Sequence, residues 1–126
     1  MRFGYSAAIL SAGASCVAGV HLFEKPGDIP AVVPAKCRAP LSANITCDFL
    51  ITANVAAQGQ TVVGPAADAY CGKDCVASLH SYRQKVIDGC GVGSYALWAN
   101  NTVTTSPKAL ADGLIWAQKL LCIQDA

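Results

Sequence analysis

The side chains whose chemistry this 126-residue sequence constrains most are its cysteines. Six of the seven follow residue 36, at Cys37, Cys47, Cys71, Cys75, Cys90 and Cys122. Such cysteines either bind a metal as thiolates or pair as disulfides in an oxidising compartment. A zinc site can be drawn from Cys71, Cys75, His80 and Cys90, but the even number of cysteines favours three disulfide bonds. We therefore expect no metal ion and no other cofactor.

Acid–base chemistry has little support in the sequence. The six aspartates from residue 48 onward are scattered and form no close pair, and His80 has no carboxylate at helical spacing to orient it. Residues 89–93 are glycine-rich, but they follow a predicted helix and not a strand, which is typical of a helix stop and not of a nucleotide-binding loop. We expect a non-catalytic protein. An extracellular hydrolase would need two carboxylates that converge in a cleft.

Aromatic side chains are the remaining candidates for ligand binding, because their faces stack on sugar rings. In a domain this small most of them should be buried; the five considered are Tyr70, Tyr82, Tyr95, Trp98 and Trp116. Trp98 stands out, since it lies in a turn-rich loop beside the glycosylation sequon at Asn100. A second sequon begins at Asn44. Trp98 is therefore the predicted sugar-stacking residue, and Asn44 and Asn100 are predicted glycan acceptors.

The N-terminus resembles a secretory signal peptide over residues 1–19. A short basic start at Arg2 precedes an apolar stretch and small residues up to Gly19, and the apolar stretch is shorter than the roughly 20 residues of a membrane span. A bacterial lipoprotein box ending at Cys16 is the alternative, but Gly13 stands where leucine is usual. Discarding Cys16 with the signal leaves the even set of cysteines. We expect a secreted, extracellular protein without a membrane anchor.

The charge balance argues against some partners. The chain has nine Lys and Arg against eight Asp and Glu, and loss of Arg2 with the signal leaves eight of each. Nucleic acid or an anionic membrane would call for a basic patch, so neither is an expected partner.

The elements that must position these side chains are predicted to be mainly α-helical. Residues 20–36, with three prolines, are predicted to be an extended leader, and residues 37–126 a small disulfide-stapled helical domain with long loops. The periodicity predicts a short helix within residues 41–55 and a central helix over residues 65–89. A last helix starts with Ser106 as N-cap and Pro107 in its first turn.

The disulfide connectivity is left open among 15 possibilities. Cys71 and Cys75 lie one helical turn apart on one face, so we expect them to pair with two different elements. One of them is expected to hold the segment 37–47, and Cys122 to tie the last helix back.

Several of these fragments together resemble the cysteine-rich N-terminal region of secreted fungal LysM-containing proteins. The pattern covers nearly all of the chain after residue 36 and comprises Cys37-Arg38-Ala39-Pro40-Leu41, Asn44-Ile45-Thr46-Cys47, Tyr70-Cys71, Cys75-Val76-Ala77-Ser78-Leu79, Val86 to Cys90-Gly91, and residues 111–117 and 122–125. Proteins of this kind bind chitin or related N-acetylglucosamine polymers, and several act at the fungal wall or as effectors that hide chitin. The sequence carries no LysM signature, so the resemblance implies secretion, the fold and a wall-associated setting, but transfers no sugar-binding residue.

Two functions follow. The favoured one is a secreted non-catalytic protein at a cell wall or host interface, effector-like, with chitin or N-acetylglucosamine oligomers as ligand and a surface aromatic cluster around Trp98. The alternative is a secreted inhibitor or effector that binds an extracellular host protein through an exposed apolar or loop epitope.

Overall fold

The computed structural model describes residues 19–59, 64–98 and 102–123. This part of the chain is mainly helical, which confirms the predicted class. A 3₁₀-helix at Pro26–Asp28 precedes α1 (Ala35–Leu41), α2 (Ala53–Ala57), α3 (Gly64–Tyr70), α4 (Lys73–Cys90) and α5 (Pro107–Ile123). β-Pairing over the same residues is limited to two isolated bridges, Val20 with Ile45 and Tyr95 with Thr105. None of the helices described is both long and apolar enough to cross a bilayer.

The two long helices, α4 and α5, pack against each other and form the centre of the fold. Apolar residues recur at steps of three and four along each, and those on α4 are buried at Cys75, Leu79, Tyr82, Val86 and Cys90. Helix α4 ends where Gly91 adopts a φ of 66°, a conformation that favours glycine. Helix α5 starts as predicted, with the Ser106 Oγ accepting a hydrogen bond from the Ala109 N–H at 3.2 Å.

The predicted central helix is two helices. α3 ends at Tyr70 and α4 starts at Lys73, because Gly72 between them is extended, with φ −69° and ψ 159°. Glycine is a poor helix former, and the interruption separates Cys71 from the turn that carries Cys75. The prediction of a continuous helix over residues 65–89 is therefore wrong at this point.

The short helix predicted within residues 41–55 is also wrong. Helices α1 and α2 flank this segment, and residues 42–52 between them are irregular. Ile45 exchanges two backbone hydrogen bonds with Val20, at 2.7 and 2.8 Å, and Cys47 is bonded to Cys75. The bridge to Val20 and the bond to Cys75 thus replace helical hydrogen bonds in this segment. The next helix, α2, starts where Thr52 Oγ1 accepts a hydrogen bond from the Val55 N–H.

Residues 20–36 form part of the core. Phe23, Ile29 and Val33 are buried in the same cluster as the side chains of α1, α4 and α5. The prolines limit this segment to one 3₁₀ turn, as their missing N–H groups require. The expected leader ahead of the domain is therefore packed into it, because three of its apolar side chains are buried in the common core. The predicted signal peptide, apart from Gly19, lies outside the described residues.

Three disulfides connect these elements. Cys37–Cys90 joins α1 to the end of α4, Cys47–Cys75 joins the irregular segment to α4, and Cys71–Cys122 joins the turn between α3 and α4 to the end of α5. Cys71 and Cys75 thus pair with different elements, as expected, although they do not lie on one continuous helix. Loops of 53, 28 and 51 residues correspond to about 4 kcal/mol of stabilisation each in the chain-entropy account.

Candidate functional site

The candidate site is an apolar groove between α2, α5 and two loops, which we call the Trp98 groove. Its volume is about 420 Å³, within the range of roughly 300 to 1,000 Å³ typical of small-molecule sites. Four separate parts of the chain contribute its lining, which consists of Leu22, Thr52, Ala53, Asn54, Trp98, Thr105, Ala109, Leu110, Gly113 and Leu114. None of these residues is charged or a histidine, so the groove is electrically neutral and its lining offers no acid–base pair.

Trp98 is held in place from one side. Its ring lies against the buried Phe23, with centroids 5.6 Å apart and planes inclined at 34°. The preceding Leu97 is fully buried, and Tyr95 exchanges two backbone hydrogen bonds with Thr105, at 3.0 and 2.8 Å, that close the loop. Of the Trp98 surface 41% stays exposed. The indole is therefore both fixed and available to a ligand.

Polar groups of the groove come from threonine and asparagine. Thr52 caps α2 and Asn54 is exposed in the first turn of that helix, while Thr105 lies in the bridge to Tyr95. Hydroxyl and amide side chains both donate and accept hydrogen bonds. An aromatic ring with neutral hydrogen-bonding groups at the edge of an apolar groove is a combination suited to a sugar with apolar substituents.

The close approach of α2 to α5 depends on Gly113. A Cβ atom at this position would lie 3.2 Å from the Cβ of Ala53, closer than ordinary van der Waals contact. Glycine here lets the two helices meet and leaves the floor of the groove without a side chain.

The other described candidate site residues from the sequence, which are the six cysteines, His80 and Asn44, do not line the Trp98 groove. All six cysteines after residue 36 are in disulfides, so Cys71, Cys75 and Cys90 do not form a zinc set with the exposed His80. Asn44 is exposed, and its side chain lies against Gly19. Asn100 falls outside the described residues.

Two of the five aromatic residues considered in the sequence are exposed, Trp98 and Trp116. Trp116 is 47% exposed, whereas its neighbours Ile115 and Ala117 are buried. The signal was present in the sequence: Trp116 is two residues after the buried Leu114, which puts it about 200° around the helix from that core position.

Burial sets the ionisation of the two core tyrosines. It raises the pKa of Tyr70 to about 12 and that of Tyr82 further. Both are therefore neutral at physiological pH. The Tyr82 hydroxyl donates to the Leu41 carbonyl at 2.8 Å, which fixes the end of α1 on α4. Both tyrosines serve the core and not the Trp98 groove.

Comparison with known proteins yields one informative relative. No protein-family model and no solved structure matches the chain. The secreted LysM effector LysM10 of Penicillium expansum is 34% identical over 95 residues, which cover 75% of this chain and 34% of the effector. The two chains are homologous. This chain spans about a third of the length of the Penicillium effector, and no LysM module is evident in it.

Proposed function

We propose that this chain is a secreted, non-catalytic, effector-like protein that binds chitin-type N-acetylglucosamine oligomers in the Trp98 groove. The homology to a protein described as a secreted LysM effector supports the secreted and effector-like part. Three disulfides support it independently, because such bonds persist in oxidising compartments.

One observation carries the ligand class: a fixed, 41% exposed tryptophan at a neutral groove of about 420 Å³. A pyranose ring stacks on an indole through its C–H groups, and its hydroxyls are uncharged hydrogen-bonding groups that fit Thr52, Asn54 and Thr105. The methyl of an N-acetyl substituent would be buried against Leu110 or Leu114. A charged ligand finds no counter-ion in the lining.

The test is binding of the oxidised protein to chitin, with a matched tryptophan control. Wild type, Trp98→Ala and Trp116→Ala are compared for retention on insoluble chitin, with cellulose and peptidoglycan alongside, and for titration with N-acetylglucosamine hexamer. Trp116 is the control because its exposed fraction of 47% is close to the 41% of Trp98, while it lies outside the groove.

We expect Trp98→Ala to weaken hexamer binding at least tenfold and Trp116→Ala to leave it unchanged. Thermal unfolding of both variants verifies that the fold is retained. Equal losses in the two variants, or passage of the wild type through all three polymers, would refute the proposed ligand.

Asn44 and Asn100 are proposed glycan acceptors in a eukaryotic secretory host. Asn44 is exposed beside the bridge between Val20 and Ile45, where a glycan can extend into solvent. Peptide-N-glycosidase treatment should lower the mass of the secreted protein by one glycan in Asn44→Gln and by two in the wild type. An unchanged wild-type mass contradicts both assignments.

A further inference from the structure

A second groove lies between α4 and α5 and shares no residue with the first. We call it the Trp116 groove; its volume is about 340 Å³, and it is lined by His80, Arg83, Asp112, Ile115, Trp116 and Lys119. Both long helices contribute to it, so its walls belong to the most extensively packed pair of elements in the fold. We propose that this groove binds an acidic peptide segment of a partner protein, with an apolar side chain of that segment packed on Trp116.

The aromatic part of the argument rests on the exposed indole. Trp116 stands at the outer edge of the helix pair, with 47% of its surface accessible, although Ile115 beside it in sequence is buried. Its exposed portion contributes nothing to the core. Tryptophan and arginine are the side chains most enriched among residues that dominate protein–protein binding energy, and Arg83 lies in the same groove.

The electrostatic part of the argument rests on the hydrogen-bond partners of Asp112, the one carboxylate among the residues that line the groove. Arg83 Nε donates to Asp112 Oδ1, and Lys108 Nζ donates to Oδ2 at 3.0 Å. The hydrogen bond from Arg83 is the main cause that lowers the pKa of Asp112. Both carboxylate oxygens are thus occupied, and two cations offset one negative charge.

Positive charge therefore remains for a ligand. Lys119 adds an ammonium, and the terminal nitrogens of the Arg83 guanidinium are not used in the hydrogen bond to Asp112. A guanidinium binds carboxylates through parallel N–H donors. Since the whole chain has a formal charge of only +1, this surplus is local and not a property of the entire surface.

The occupant follows from the two parts together. A small inorganic anion would use the cations but not the indole, and a neutral apolar segment would use the indole but not the cations. An acidic peptide with an apolar side chain uses both. A nucleic acid makes extended phosphate contacts, and the groove has too few cationic side chains to form them.

The experiment uses a capped hexapeptide, EDLFED, as probe and QNLFQN as its neutral match. Backbone amide NMR shifts of the oxidised full chain locate binding, and titration gives Kd at 50 mM salt. We expect shifts along α4 and α5 around Trp116, at least tenfold weaker binding of QNLFQN, and weaker binding of EDLFED at 500 mM salt.

Variants separate the contributions. Trp116→Ala and the double variant Arg83→Gln/Lys119→Gln should each weaken EDLFED binding at least tenfold, whereas Lys119→Arg and Trp98→Ala should retain it. Unchanged thermal unfolding of the first two variants shows that the fold is intact whether or not the protein binds chitin, so this proposal and the proposed function can fail separately.

The proposal is overturned if QNLFQN binds as tightly as EDLFED, if the shifts map to the Trp98 groove, or if EDLFED does not bind at 1 mM. Preferential binding of a heparin hexasaccharide or of anionic vesicles over EDLFED would also overturn it, because the occupant would then be a polysaccharide or a lipid surface.

Discussion

The two grooves lie on the two flanks of the same helix, α5, and each presents one tryptophan with a little under half of its surface exposed. Their surroundings differ in charge. The Trp98 groove has threonine and asparagine as its polar groups, whereas the Trp116 groove has a lysine, an arginine, a histidine and an aspartate. The comparison teaches that an exposed indole indicates binding in general, while the neighbouring charges indicate which ligand class fits.

The two indoles also differ in how they are supported. Trp98 lies in a loop that is closed by the Tyr95–Thr105 bridge, and its ring contacts Phe23. Trp116 stands on a helix whose end is joined by the Cys71–Cys122 disulfide to the turn just before α4. Sites on helices are positioned more precisely than sites on loops. The geometry of the Trp116 groove should therefore depend on how α4 is aligned with α5, and the geometry of the Trp98 groove on closure of its loop.

The largest expected effect comes from removing a disulfide. Cys71→Ser/Cys122→Ser and Cys37→Ser/Cys90→Ser open loops of 51 and 53 residues, so each should lower the free energy of unfolding by about 4 kcal/mol. Because Cys122 is close to Lys119 on α5, only the first variant should also weaken EDLFED binding. Urea denaturation and titration at 10 °C measure both quantities.

The Cys37→Ser/Cys90→Ser variant is the matched control, since its loop has nearly the same length but starts on α1. Equal loss of peptide binding in the two variants would show that overall stability, and not the local joining of α4 to α5, determines the geometry of the Trp116 groove. A loss of unfolding free energy below 1 kcal/mol would contradict the structural role of either bond.

A smaller effect is expected at Gln118, a buried polar residue of α5. The buried Gln118 Nε2 donates to the Tyr70 carbonyl at 2.8 Å. Gln118→Leu leaves this buried acceptor without its donor, which should lower the free energy of unfolding by about 1–3 kcal/mol. Ligand binding by either groove should persist well below the unfolding midpoint, because the side chain lines neither.

Gln84→Leu on the exposed face of α4 is the control for Gln118→Leu and should change stability by less than about 0.5 kcal/mol. If Gln118→Leu unfolds at the wild-type urea concentration, another donor satisfies the Tyr70 carbonyl. If it abolishes binding in both grooves, the core under α5 controls their shape.

Much of the helical framework could be predicted from local signals. The start of α5 at Pro107 and the end of α4 before Gly91 follow from capping residues and glycine chemistry. Cys71 and Cys75 do pair with different elements as expected, but the continuous helix on which that expectation rested is broken at Gly72. Predictions failed where tertiary contacts override such signals. The segment around Cys47 is irregular because its backbone and thiol are engaged elsewhere.

The grooves themselves were beyond prediction for a different reason. The Trp98 groove combines Leu22, Asn54, Trp98 and Leu110, which no periodicity relates, so only the folded chain brings them together. Trp98 could be selected from its loop context, but its neighbours could not. For the Trp116 groove, helical spacing alone would have shown the outward position of Trp116, while its pairing with Arg83 needs the registry of α4 against α5.

The smallest expected effect is on the pH dependence of stability, which involves the Trp116 groove through Asp112 and does not involve the Trp98 groove. Because Arg83 and Lys108 hold the pKa of Asp112 below its ordinary value, their interaction stabilises the folded state above that ordinary value and is lost as the pH falls through the lowered pKa. Between pH 6 and pH 2, Asp112→Asn should therefore lose less unfolding free energy than the wild type. The difference should stay within about 1 kcal/mol, since these side chains are at least 34% exposed and solvent screens the pair.

Asp88→Asn, which removes an exposed carboxylate bonded to Gln84, is the control and should follow the wild-type pH dependence. Urea denaturation at each pH gives the free energies. Since no lining residue of the Trp98 groove titrates in this range, chitin-oligomer binding measured at pH 6 and pH 3.5 should be the same while the protein stays folded. A wild-type curve parallel to that of Asp112→Asn would mean that the ion pairs do not persist in solution, and the Asp112 carboxylate would then be free to repel an acidic ligand in the Trp116 groove.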